Sequence, residues 1–416
     1  MKNFVPSFII ERLNNSPKSS GSLKAFTMFI DISGFTSMTQ TLMKKGKEGS
    51  EILTTIINDI FTPSIKSIYD HHGFITTFAG DAFTAVFPKS KSTAKHLLSS
   101  AFEINQIFAK IGNQTSRLGN FQLEVKIGIS FGDVKWKIVS NENQNAYYFR
   151  GDAINNCAFS EHRCEKGDIV FDKELLAFIK NDSFDYQQIA NEINHYLIKP
   201  SKIIGIKKYD ISSKKNNTTK TMGKFVPKEI MQTKVKGEFR DIVSCFISFQ
   251  ESNRIDDLIT HMLNLAAKYG GYLNKVDFGD KGGVALVLFG APTVKEKLLE
   301  RANNFILEVQ ELDNYSIRAG ITFGKVFAGF VGSEIRSEYT ALGEIVNLSA
   351  RFMMKAKWGQ SYLDRRIYTN VKDSYNIKEL APEKFKGISG KIPTFLLLSK
   401  KQSSLEKQFT GKIFGR

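Results

Sequence analysis

Phe29-Ile30-Asp31-Ile32-Ser33-Gly34-Phe35-Thr36, followed further on by Phe78-Ala79-Gly80-Asp81-Ala82, is the pair of segments around which the chain is organised. Ala25 to Ile30 is a short apolar run rich in β formers that stops at Asp31, so it predicts a strand presenting a carboxylate at its end. Gly73 to Phe78 and Ala82 to Phe87 predict two further strands joined by a tight Gly80-Asp81 turn. Taken singly, Asp31 is a helix cap and Asp81 a turn residue. Together, at the ends of adjacent strands, they can share one divalent cation, or two. Gly34 and the hydroxyls after Asp31 leave backbone N–H groups free at a helix start, where a phosphate is favoured.

Outward from this platform the pattern alternates strands and helices. Lys47 to Tyr69 and Ser92 to Ile111 carry apolar residues at helical spacing, with Pro63 a candidate kink in the first. Glu124 to Phe131 and Val134 to Val139 suggest a hairpin around Gly132-Asp133. Asp152 to Cys164 suggests a helix and Asp168 to Phe171 a strand. The class this predicts is α+β, helices over a mainly antiparallel sheet. Ser212 to Lys224 is polar, without apolar periodicity, and makes the best linker.

Beyond that linker the chain repeats itself. Phe225-Val226-Pro227 echoes Phe4-Val5-Pro6, Gly320-Ile321-Thr322-Phe323-Gly324 echoes Gly128-Ile129-Ser130-Phe131-Gly132, and Leu342-Gly343-Glu344-Ile345-Val346-Asn347 echoes Arg150-Gly151-Asp152-Ala153-Ile154-Asn155. The last two echoes share a shift of 192 residues and the first a shift of 221, so the second copy is shorter near its front. With 416 residues, two domains with a core each are expected.

Composition excludes some classes. No apolar run approaches a membrane span, and Phe4 to Leu13 contains Pro6, Glu11 and Arg12, as an amphipathic helix does; a cytoplasmic protein is expected. Cys157, Cys164 and Cys245 lack zinc-ligand spacing. The net charge of +16 comes from lysines spread along the chain, without an aromatic-interleaved basic block. It predicts a solvated basic surface and no nucleic-acid partner.

The two opening segments resemble the metal-binding half of a class III nucleotidyl cyclase domain, and the tandem arrangement resembles the soluble adenylyl cyclases. The resemblance implies two ferredoxin-like (βαββαβ-type) cyclase homology domains packed as a pseudo-symmetric head-to-tail pair. Its divisions are an N-terminal helical lead (1–23), a first domain (24–211), a linker (212–224), a second domain (225–398) and a basic tail (399–416). It implies that Asp31, Asp81 and the Ile32 carbonyl hold two Mg²⁺ (or Mn²⁺), since such cations take oxygen ligands and substrate phosphates. Backbone amides of Gly34, Phe35 and Thr36, with the Lys126 side chain, would hold the phosphates of ATP. From the second domain, Lys275 and Thr340 match the positions that recognise adenine, a lysine donor suiting the N1 acceptor of adenine over the N1–H of guanine. Asn347 and Arg351, four apart on one helix face, would orient the ribose and stabilise charge on the α-phosphate. The expected reaction converts ATP to cyclic AMP and pyrophosphate; a catalytically silent nucleotide-binding regulatory module is the alternative. The Gly-Gly-acidic-acidic-Phe hairpin of diguanylate cyclases does not occur.

The copies differ where function is concerned. Ser248 stands where the first copy has Asp31, and Phe159 lies opposite Arg351. One complete and one stripped cleft are therefore expected. In the soluble adenylyl cyclases the second cleft takes bicarbonate with a lysine and an arginine. Here Thr77 and Ala158 are expected at those positions, which predicts no bicarbonate activation by that route. Tyr147, Tyr148 and Phe149 either line that cleft or pack. Ile413-Phe414-Gly415-Arg416 is similar to the opening of an ATPase-like module in multidomain relatives, the other explanation being an ordinary basic C-terminus.

Overall fold

The computed structural model describes residues 3–402 apart from 17, 143, 181–183, 200–205, 207, 210–218, 234, 280–281, 313–314 and 386–389. Most of the expected linker and the Ile413 to Arg416 segment lie outside the described residues.

The first half begins with helix α1 (Ser7–Asn15), strand β1 (Ser20–Ser33), α2 (Phe35–Met43), α3 (Gly46–Asp70) and the hairpin β2 (Phe74–Ala79) and β3 (Ala82–Pro88). It continues through α4 (Ala94–Ile111), a small hairpin β4 (Asn113–Ser116) and β5 (Gly119–Gln122), then β6 (Glu124–Ser140), β7 (Asn145–Arg150) and α5 (Asp152–Glu161). It closes with β8 (Ile169–Asp172), α6 (Lys173–Ile179), β9 (Tyr186–Gln188) and β10 (His195–Ile198). The second half runs α7 (Thr219–Met222), α8 (Lys228–Gln232), β11 (Gly237–Phe249), α9 (Ile255–Tyr269), β12 (Tyr272–Gly279) and β13 (Gly282–Phe289). After α10 (Leu298–Gln310) come β14 (Ile317–Gly332), β15 (Ser337–Leu342), α11 (Glu344–Lys355), β16 (Ser361–Leu363), α12 (Arg365–Val371), β17 (Tyr375–Lys384) and β18 (Lys391–Lys400).

Each half builds one sheet with the same order, β2-β3-β1-β6-β8-β10-β9 in the first and β12-β13-β11-β14-β16-β18-β17 in the second; β7 pairs with β6 and β15 with β14. The fold is α+β, two ferredoxin-like units in pseudo-symmetric tandem. Gly128 and Gly320 display the internal symmetry at atomic scale. A Cβ on Gly128 would meet the Cys157 carbonyl oxygen at 2.1 Å and the Glu161 nitrogen at 2.2 Å; on Gly320 it would meet Ser349 O at 2.1 Å and Met353 N at 2.4 Å. Only glycine lets each helix, α5 and α11, press so closely on its sheet. Both contacts obey the shift of 192.

One local expectation is corrected. Gly132-Asp133 is not a turn: β6 runs unbroken, with Gly132 opposite Ala25 and Asp133 opposite Lys24 on β1. The long partner strand wins over the local turn propensity, and Lys24 Nζ meets Asp133 Oδ2 at 2.8 Å. Pro63 sits inside the continuous helix α3.

The Phe-Val-Pro echo has a structural meaning. Ser337 donates its backbone N–H to Asn3 O at 2.8 Å, and Asn145 donates its own to Lys224 O at 2.6 Å. Each domain's lead segment thus crosses to a corresponding strand of the other half, β15 or β7. Phe4 stacks on Phe330, 5.4 Å between ring centroids, and Phe225 meets Tyr147 edge-on at 5.8 Å. The larger apolar core runs through this seam, joining Phe78 and Phe149 to Phe330, Tyr339 and Ala341. Among the described residues no helix is long and apolar enough to cross a membrane.

Candidate active site

β1 carries Asp31 to the seam and ends two residues later, and the chain then turns at Gly34 into α2. Gly34 has φ +90°, and a Cβ there would sit 2.3 Å from the Gln122 carbonyl oxygen, so both the left-handed backbone and the close approach require glycine. The turn exposes the first amides of α2. Lys126 stands directly opposite Asp31 on β6, on the same face of the sheet. Ala79 pairs with Ala82, so Gly80-Asp81 is the two-residue turn the sequence predicts.

Asp81 feels Asp31. Burial first, and the Asp31 carboxylate second, push its pKa up to about 7, while Thr36 donates a hydrogen bond to Asp81 Oδ2 at 3.4 Å and acts the other way. The two carboxylates lie close enough for Asp31 to act on Asp81 through its charge. Among the described residues no group of three or more His, Cys, Asp and Glu side chains is arranged to hold a metal ion. The set here is two carboxylates with the Ile32 carbonyl nearby. That set fits a hard divalent cation completing its shell with phosphate or water oxygens.

From the second half Asn347, on α11, donates from Nδ2 to Thr36 Oγ1 at 3.4 Å. A cleft of about 280 Å³ lies here, walled by Phe35, Thr36, Gly80 and Asp81 from one side and Gly343 and Asn347 from the other. The fold therefore brings together Asp31, Asp81, Thr36 and Asn347, with Phe35 lining the cleft and Lys126 beside Asp31.

The remaining expected residues stand further off. A β-bulge between Leu273 and Lys275 aims Lys275 at the first half, where its ammonium lies 3.0 Å from Glu338 Oε1 and donates to the Phe78 carbonyl. Thr340 is buried, its hydroxyl donating to Asn274 Oδ1 at 2.9 Å. Arg351 is half-buried one turn beyond Asn347; burial lowers its pKa, opposed by Glu344. Lys275, Thr340 and Arg351 do not wall the 280 Å³ cleft. Sequence reasoning passed over Arg336 and Glu338, whose only signal is two opposite charges at the start of an otherwise apolar strand.

The related cleft differs. Ser248 pairs with Arg318 as Asp31 pairs with Lys126, but Arg318 turns away to donate to Met354 O at 3.0 Å. Tyr148 fills space there, its hydroxyl donating to Asp256 Oδ1 at 2.9 Å and its ring 5.1 Å from that of Phe278. Tyr147 and Phe149 pack at the seam. The matching bulge between Ile75 and Thr77 sets Thr77 at the place of Lys275. The helix contacts of Gly128 and Gly320 set Phe159 opposite Arg351, as the shift of 192 predicts. Neither residue is a cation.

The family model "Adenylate and Guanylate cyclase catalytic domain" matches residues 21–209 and again 230–399. The chain belongs to this cyclase family. Adenylate cyclase type 10 of Oryctolagus cuniculus is 26% identical over 89% of this chain, and that of Homo sapiens 24% over 88%. The chain spans about a quarter of the length of these curated relatives, 26% in both cases. A solved structure described as a class III adenylyl cyclase-like ATP-binding protein from Pseudomonas aeruginosa shares the tandem fold. It covers 84% of this chain and 85% of that one, with a TM-score of 0.58 and 13% identity.

Proposed function

We propose that this chain is an adenylyl cyclase that closes ATP to 3′,5′-cyclic AMP and releases pyrophosphate at one composite site between its halves. The observation that carries the proposal is the convergence of Asp31, Asp81 and Thr36 from the first half with Asn347 from the second. In the reaction the ribose 3′-oxygen loses its proton and bonds to the α-phosphorus, whose bond to the β-phosphate oxygen breaks. Asp31, Asp81 and the Ile32 carbonyl would hold two Mg²⁺ or Mn²⁺ ions. Such ions make a bound hydroxyl more acidic and offset triphosphate charge.

The chain's own groups do the rest. Amides of Gly34, Phe35 and Thr36 at the start of α2, with Lys126 on the same sheet face as Asp31, would hold the triphosphate. Asn347 would fix the ribose, and Arg351 would meet charge developing on the α-phosphate. Lys275 and Thr340 would select adenine, and the names of the relatives agree with ATP as substrate. A cytoplasmic location and a further C-terminal module in a longer protein belong to the same proposal.

A second reading, a silent nucleotide-binding module, is favoured by the engagement of Lys275 with Glu338 and Phe78 and by the place of Arg351 outside the cleft. One experiment separates them. Incubation with ATP and Mg²⁺ or Mn²⁺ is expected to yield cyclic AMP, and Asp31→Asn to reduce the yield at least ~10²-fold with ordinary thermal unfolding. Nucleotide binding without product from the wild type would select the second reading.

A further inference from the structure

The duplication supplies an internal comparison. Among the described residues, α2 and the small hairpin of β4 and β5 are the elements of the first half with no counterpart in the second. Residues 250–254 lead straight from β11 to α9 where the first half has α2, and residues 311–316 join α10 to β14 where it has the hairpin. Both extra elements belong to the half that carries Asp31 and Asp81. They also meet.

The hairpin brackets α2. At its base the Gln122 carbonyl oxygen occupies the space that a Cβ on Gly34 would need, immediately before α2. At its tip Arg117 Nε lies 2.6 Å from Glu48 Oε1, in the first turn of α3 and so just after α2. Leu123 donates its backbone N–H to Gly112 O at 2.9 Å, which closes the base, while Leu118 and Phe121 pack against the larger core. α2 needs such support. It is nine residues long and Gly34 offers it no side-chain cap, so it falls short of the length at which an isolated helix holds itself. α3 presses on its other end, where a Cβ on Gly49 would overlap the Leu42 carbonyl oxygen.

α2 is also the wall on which the cleft depends. Thr36 in its first turn meets both Asp81 and Asn347, and at its end Met43 Cε lies 3.2 Å from the place of a Cβ on Gly343. One short helix thus faces the second half along its whole length. Held on both sides, it presents its first amides in one arrangement before a ligand arrives, and donors arranged beforehand bind without an ordering cost. We infer that the β4–β5 hairpin is a clamp on α2, with Arg117 a positioning residue within it, and that the clamp preorganises the first amides of α2 for a triphosphate. The triphosphate part rests on the function proposed above, and the clamp itself does not.

The experiment uses the full chain and two readouts, amide hydrogen exchange over residues 35–43 and the dissociation constant of inorganic tripolyphosphate with Mn²⁺. In one variant Asn-Gly replaces residues 113–122, which turns the bond between Leu123 N–H and Gly112 O into that of a β-turn. The others are Arg117→Glu and the reversed pair, Arg117→Glu with Glu48→Arg, each checked by thermal unfolding. The shortened chain is expected to exchange its α2 amides at least ~10-fold faster, with α11 unchanged, and to bind tripolyphosphate roughly tenfold more weakly. Arg117→Glu should act in the same direction by no more than about fivefold, the reach of an exposed ion pair, and the reversed pair should restore both readouts. A folded shortened chain within about twofold of wild type on α2 exchange overturns the clamp. Faster exchange with unchanged tripolyphosphate binding overturns the preorganisation. A wild type that binds no tripolyphosphate overturns the phosphate role proposed for α2, and the preorganisation with it, while exchange alone still decides the clamp. Should the shortened chain not fold, the ion pair decides: a change that reversal restores supports the clamp, and wild-type values or a change that reversal leaves in place overturn it.

Discussion

A carboxylate at a strand end is common, and Asp31 gains its weight from Asp81, whose pKa it helps to push up to about 7. Both aspartates were legible in the sequence because the strand run and the Gly-Asp turn are local patterns. Arg336 and Glu338 were not, since their meaning depends on Phe4, Thr76, Phe78 and Tyr147, which only the fold brings near. For Arg351 the account predicts that Arg351→Ala lowers kcat for cyclic AMP formation by ~10², about 3 kcal/mol, while KM changes far less, as expected of a group acting on transition-state charge. A rise in KM at constant kcat would assign Arg351 to ground-state binding instead. Asp364 offers a test of stability. It caps α12, accepting N–H groups from Ile367 at 2.8 Å and Phe323 at 3.0 Å, yet burial outweighs both and pushes its pKa up to about 6. A raised folded-state value means that folding favours the protonated form; that contribution is full below about pH 4 and is lost as pH rises through about 6. Urea unfolding of wild type and Asp364→Asn should therefore show the wild type losing up to about 3 kcal/mol relative to the variant over this range, and no further change above it. A difference independent of pH would contradict the assignment.

At the scale of elements, local propensity and long-range pairing compete, and Gly132-Asp133 shows which wins. A turn-forming pair lies mid-strand because β1 offers partners on both sides of it. Such an outcome cannot be seen from the pair alone. The lead segments are the converse case: Phe4-Val5-Pro6 and Phe225-Val226-Pro227 were visible as an echo, and their crossing to β15 and β7 was not. Deleting residues 1–6 would remove the Phe4 acceptor from the buried Arg336 guanidinium and the ring stacked on Phe330. A loss of about 3 kcal/mol in chemical unfolding is expected; an unchanged midpoint would show that the arm does not clamp the seam. In the second cleft Thr77 on β2 stands at the place of Lys275 and Phe159 on α5 at that of Arg351, and Thr77 and Ala158 are the residues expected where the soluble adenylyl cyclases hold bicarbonate. Turnover at fixed pH is accordingly expected to stay flat as bicarbonate is raised, and a dose-dependent increase would refute this.

The whole molecule was the most legible level, because a shift of 192 residues recurs in the sequence and again in the glycine contacts of α5 and α11. What duplication hides is which differences matter, and these emerge only once the halves face each other. Ser248 and Arg318 mark one cleft as stripped, whereas Asp31, Asp81, Thr36 and Asn347 converge in the other. The central claim is that the two halves complete one nucleotide site. It is tested most directly by a crystal structure of the chain with a non-hydrolysable ATP analogue and Mn²⁺, using anomalous scattering to locate the metal. The account predicts manganese bound by Asp31 and Asp81, the triphosphate at the start of α2, and the base within hydrogen-bond reach of Lys275. A nucleotide bound elsewhere, or manganese away from the two aspartates, would contradict it.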